Sequence, residues 1–96
     1  MILWIAYEAA KADADASDGI HTTIRGEVGG RNMQRVLSNV WIIDTEERPS
    51  VWMDKFDEVI KPGDKIVITR LRRGMAGVNI TDMTDWAKAH RESFDE

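Results

Sequence analysis

The sequence predicts an α+β domain in which two helices lie on one face of a four-stranded sheet. Short apolar runs of β-forming residues occur at four places, and such runs read as strands. Between them, two stretches repeat their apolar residues at intervals of three and four, the helical period. Gly, Pro, Asn and Asp mark the joints, where turns need their particular backbone freedom. The length of 96 residues suits a single domain spanning 1–96, with 43% hydrophobic and 31% charged residues, a balance that favours a packed core over disorder.

The elements follow in order. Met1 to Tyr7 is an unbroken apolar run, expected to be a strand buried on both faces and so central in its sheet. Residues 9–18 hold small side chains with no large apolar anchor and read as a long loop or a weakly held helical turn. Ser17 or Asp18 is placed to cap a helix carrying Ile20, Ile24 and Val28, with Gly29 and Gly30 to stop it. Residues 33–37 and 40–44 are strand-like and separated by Ser38-Asn39, which suits either a tight hairpin or one long bent strand. Pro49 fits the first turn of a helix whose stripe is Trp52, Phe56, Val59 and Ile60. The turn Lys61-Pro62-Gly63-Asp64 then leads to the β-branched strand 65–71. Residues 75–78 suggest an edge strand, and Asp82 a cap for a last helix bearing Met83, Trp86, Ala87 and His90.

The order β-α-β-β-α-β builds an antiparallel sheet with both helices on one side, the ferredoxin-like sandwich, here with a C-terminal helical extension. Such a sheet leaves one face without helices of its own. A ligand, a tail or a second copy must cover it, and homodimerisation is the expected solution.

Composition bounds the function. The absence of Cys excludes disulfides, thiolate metal sites and cysteine nucleophiles. The longest apolar run is too short to span a bilayer or to form a signal-peptide core, so no membrane partner and a cytoplasmic location are expected. The net charge of -4 is unevenly spread. Residues 25–73 carry ten basic against eight acidic residues, while both flanks are acidic. The balance disfavours tight, sequence-indifferent binding to polyphosphate but leaves room for a local arginine patch.

The run Ile2-Leu3-Trp4-Ile5-Ala6-Tyr7-Glu8 resembles the opening strand of the small CRISPR-associated endoribonuclease-like proteins and their VapD relatives. Leu37 to Ile43, with its Ser-Asn-Val-Trp centre, is similar to the hairpin of a related group, the SinR family. Pro62 to Leu71, followed by Thr84-Asp85-Trp86-Ala87-Lys88, is similar to that group's final strand and closing helix. Two positions depart from the pattern: Glu8 stands where Asp is commoner, and Asn39 where Ser is commoner. The resemblance implies a ferredoxin-like homodimer with its two sheets packed together and the strand ends near the dyad. It also implies roles that differ among relatives, from scaffolds that hold DNA to nucleases that use a divalent metal.

Candidate residues follow from these readings. Glu8 sits where the resembling families carry their acidic residue, so two Glu8 side chains across a dyad would share Mg²⁺ or Mn²⁺ and activate a water. Its competing reading is a solvated carboxylate at a strand end. Arg70, Arg72 and Arg73 form the densest basic cluster, with Arg35, Arg25 and Arg31 as neighbours in the fold, and guanidinium groups grip phosphates with paired hydrogen bonds. Pairing with local carboxylates is the alternative. His21 and His90 show no metal-ligand spacing, and His90 is expected half-buried beside Trp86. The functions in competition are a non-catalytic nucleic-acid scaffold, a metal-dependent endonuclease centred on Glu8, and an accessory or antitoxin-like protein that binds another protein.

Overall fold

The computed structural model describes residues 1–11, 16–72 and 81–94, with 16, 81 and 82 described by their backbone alone. The expected edge strand 75–78 and Arg73 lie outside the described residues. Four strands, β1 (Ile2–Glu8), β2 (Met33–Leu37), β3 (Val40–Asp44) and β4 (Lys65–Leu71), form one sheet in the order β2-β3-β1-β4. Every neighbouring pair is antiparallel. Three helices accompany them: α1 (Ala16–Val28), α2 (Pro49–Phe56) and α3 (Thr81–Ala89). The molecule is thus a small α+β domain built on one antiparallel sheet.

The apolar run at the start explains the centre of this sheet. β1 lies between β3 and β4, and its side chains alternate between two cores, as strand geometry requires. Leu3, Ile5 and Tyr7 enter a core with Trp41 and Ile43 of β3, Ile20 and Ile24 of α1, and Trp52 and Phe56 of α2. Ile2 enters a second core with Ile42, Met83, Trp86 and Phe94, flanked by Trp4, Val36 and Leu71. The C-terminal helix α3 and the 3-10 turn Arg91–Ser93 therefore cover one end of the face opposite α1 and α2. Of the covers foreseen for that face, the chain itself supplies a tail. Farther along the same face, Ala6 pairs with Val67, which is 57% exposed.

Local chemistry sets the boundaries. α1 starts at Ala16, two or three residues earlier than a Ser17 or Asp18 cap implies, so both lie in its first turn. It accommodates Gly19 and Gly26, poor helix formers, because Ile20 and Ile24 are fully buried, and burying one such side chain is worth roughly 1.5–3 kcal/mol against about 1 kcal/mol for a glycine. Gly29 ends it with φ 79° and ψ 161°, a region open essentially to glycine alone. β2 and β3 form the tight hairpin, with a register shift between Arg35 and Leu37. α2 begins at Pro49 as expected but its regular part stops at Phe56. Val59 and Ile60 follow in a turn whose N–H groups still reach the Phe56 carbonyl, and both still pack on the first core.

Candidate functional site

Four places on the described surface gather polar chemistry. The first is the end of β1. Glu8 is exposed and faces Lys65 across the β1–β4 ladder. Among the described residues no group of three or more His, Asp or Glu side chains is placed to hold a metal ion. The neighbouring Tyr7 is buried and points the other way. Its hydroxyl donates to Asp64 Oδ2 at 2.6 Å, the Lys61 N–H donates to the same oxygen at 2.9 Å, and the Ala10 N–H donates to Oδ1 at 2.8 Å. The Ala10 amide, then the Tyr7 hydroxyl and the Lys61 amide, hold the Asp64 carboxyl below its ordinary value, because each stabilises the charged form. A cleft of about 310 Å³ opens here, with Lys11 and Lys61 on its walls. Asp64 spends its lone pairs tying the loop after β1 to the turn before β4.

The second place is the set of arginines. Arg70 and Arg72 are exposed at the C-terminal end of β4, one edge of the sheet. Arg35 lies on β2, the opposite edge, so β3 and β1 separate them by three strand spacings, roughly 14 Å. The fold therefore does not make one stripe of Arg35 with Arg70 and Arg72. Arg35 is held where it is: Nε donates to the Ser38 carbonyl at 2.9 Å, Nη2 to Ser17 Oγ at 2.9 Å, and Nη1 lies 3.6 Å from Asp18. Its guanidinium also sits 5.1 Å over the Trp41 ring, a cation–π contact.

Beside Arg35 lies the third place, an open concavity of about 340 Å³ between α1 and β2, lined by His21, Arg25, Gly30, Met33, Gln34 and Arg35. His21 and Arg25 are one turn apart on α1 and so share a face. The Trp41 indole N–H donates to His21 Nδ1 at 3.1 Å. An indole nitrogen only donates, so Nδ1 accepts and the ring proton sits on Nε2. Partial burial, and then the charges of Arg35 and Arg25, push the His21 imidazole below its ordinary value, with Asp18 opposing them.

The fourth place joins the two ends of the fold. Asp44 Oδ2 accepts from Ser93 Oγ at 2.7 Å and lies 2.7 Å from His90 Nδ1. An aspartate, a histidine and a serine thus meet, although 49 residues separate Asp44 from Ser93. A hydrolytic triad needs the serine hydroxyl to donate to a free imidazole nitrogen. Here the serine donates to the aspartate, and His90 Nε2 is 3.0 Å from the Arg31 carbonyl, so neither ring nitrogen is left to take its proton. Trp86 stacks on the His90 ring at 4.0 Å and donates its own N–H to the Arg31 carbonyl at 3.0 Å. The cluster is a clamp that fastens α3 and the turn after it to β3 and to the chain leaving α1. His90 is accordingly half-buried on the Trp86 side of its helix, as the helical spacing indicates.

Sequence reasoning reached Glu8 through the family resemblance and the arginines by residue type, and it missed Asp64, the His21–Trp41 pair and the Asp44 cluster. One signal was available. Tyr7 carries a hydroxyl in an otherwise apolar run, and a buried tyrosine hydroxyl requires a partner. No protein-family model matches the chain, and no curated protein matches it.

Proposed function

We propose that this chain is one subunit of a homodimeric, ferredoxin-like module that holds nucleic acid without cutting it. The strand order β2-β3-β1-β4, with α1 and α2 on one face, supports the ferredoxin-like arrangement, in which each helix crosses between strands that are not neighbours. The resemblance of its first strand and hairpin to the SinR and VapD relatives points the same way. The observation that carries the binding role is that the acidic chain nevertheless gathers arginines on its surface: Arg25 and Arg35 share a concavity beside α1, and Arg70 and Arg72 stand exposed on β4. A dimer would repeat both sets about its axis and extend the cationic track along a phosphate backbone. The half-covered second face of the sheet, with Val67 exposed, is the surface on which a second copy would sit.

Retention of a labelled single strand, measured across a salt series, tests the reading. Affinity is expected to fall as salt rises, with a log–log slope of about -0.7 for each phosphate neutralised. Arg70→Gln with Arg72→Gln should make that slope shallower. Light scattering should return twice the mass of one chain. Failure to retain any oligonucleotide at low salt would sink the proposal. Metal-dependent cleavage of RNA or DNA that Glu8→Gln abolishes would replace it with the endonuclease reading.

A further inference from the structure

We propose that the concavity between α1 and β2 binds a single phosphate group, held by Arg25, the Nε2–H of His21 and the guanidinium of Arg35. This rests on the nucleic-acid reading above and names a subsite for it, away from the arginines of β4.

Two donors on this wall are left over. Arg25 is exposed and its guanidinium has no partner among the described residues. His21 commits Nδ1 to Trp41, which leaves its only N–H on Nε2, and no described group accepts it. Arg35 is fixed by Ser17, Asp18, Ser38 and the Trp41 ring, so it contributes charge without having to be ordered on binding. A charge already fixed in place costs little conformational entropy when a ligand arrives. Among the described residues, Asp18 is the carboxylate that faces these two guanidinium groups, and it is 64% exposed, where water screens it. Burial first, and then the charges of Arg35 and Arg25, keep the His21 imidazole below its ordinary value, so the ring faces the cleft as a neutral Nε2–H donor. A tetrahedral oxyanion accepts from Arg25 and from His21 Nε2–H at once, since it accepts from several directions and arginine suits its geometry, while the Arg35 charge attracts it. The volume of about 340 Å³ admits a phosphate with part of a sugar.

Nitrogen-15 spectra of the intact chain, titrated with inorganic phosphate at constant ionic strength, test this. Saturable shifts are expected at the His21 ring, the Arg25 side chain and the backbone of 30–35. Arg25→Gln should weaken binding by roughly ten-fold or more, the loss of one charge-assisted pair, while Arg48→Gln, at an exposed arginine before α2, should leave it unchanged. Non-saturating shifts, or saturation indifferent to Arg25→Gln, would overturn the site. The same titration with a 5′-phosphorylated oligonucleotide and its 5′-hydroxyl counterpart separates the sources: a chain-end phosphate if the first binds tighter, a backbone phosphate if they bind alike. Phosphate saturating the site with no oligonucleotide retained would sink the nucleic-acid reading alone. Oligonucleotide binding lost in Arg72→Gln and untouched in Arg25→Gln would sink the site alone.

Discussion

At the scale of single residues, the turn before β4 shows how little freedom the fold leaves. Gly63 has φ +88°, and a Cβ placed on it would lie 2.9 Å from the Ala10 Cβ. Both the backbone angle and the space exclude a side chain, and the obstructing atom is fixed to its own backbone. Gly63→Ala is therefore expected to destabilise the protein by about 1–3 kcal/mol, read from chemical denaturation. The adjacent Asp64 adds a pH dependence of known sign. Its folded carboxyl titrates below the unfolded value, so its contribution is complete above the unfolded value and is lost as pH falls through the folded one. His21 acts in the same direction at higher pH. Its imidazole is depressed in the folded protein, so the unfolded chain takes up the proton first, and stability declines as pH falls below the ordinary value of about 6.5. His21→Gln keeps an acceptor for Trp41 and should flatten the melting temperature between about pH 7 and 5. An unchanged slope in that variant would remove His21 as its source.

Among the elements, α3 illustrates a helix whose local pattern was legible while its destination was not. The spacing of Met83, Trp86 and His90 marks one face, yet nothing in that spacing says which surface receives it. The structure places it on the side of the sheet away from α1 and α2, against Ile2 and Ile42. That location depends on β1 and β3 both being buried on two faces, so that each offers a second apolar row. It depends also on the clamp of His90 and Ser93 on Asp44. Trp86→Ala removes the side chain central to that contact and its bond to the Arg31 carbonyl, and should cost about 3–5 kcal/mol. Increased binding of a hydrophobic dye should accompany the loss, because the Ile2 and Ile42 row becomes accessible. Equal stability and dye binding would show that α3 is dispensable to that face. The hairpin behaves differently: Ser38-Asn39 lies between its strands, so its pairing is local, and the sequence narrowed it to a tight hairpin or one long bent strand, of which the structure shows the hairpin.

For the whole molecule, the residue order already marked the centres of the four strands and three helices described, and indicated that the first strand is central and that Trp52 and Phe56 point inward. These follow from periodicity and turn chemistry, which act over a few residues and so are written in consecutive positions. Glu8 could be placed at a strand end for the same reason. What only the tertiary structure decided are the meetings of distant residues. Arg35 and Arg70 both looked like parts of one basic patch, but sheet order sends them to opposite edges. Arg25 and His21 become neighbours of Arg35 because α1 packs across β2, and Asp64 meets Tyr7 although they stand 57 positions apart. Asp44, His90 and Ser93 come together only when the tail folds back over the sheet. A hydrogen bond acts within about 3 Å and reports nothing of sequence separation, so the clamp, the tyrosine pin and the cationic concavity exist only once the sheet has set which distant residues lie side by side.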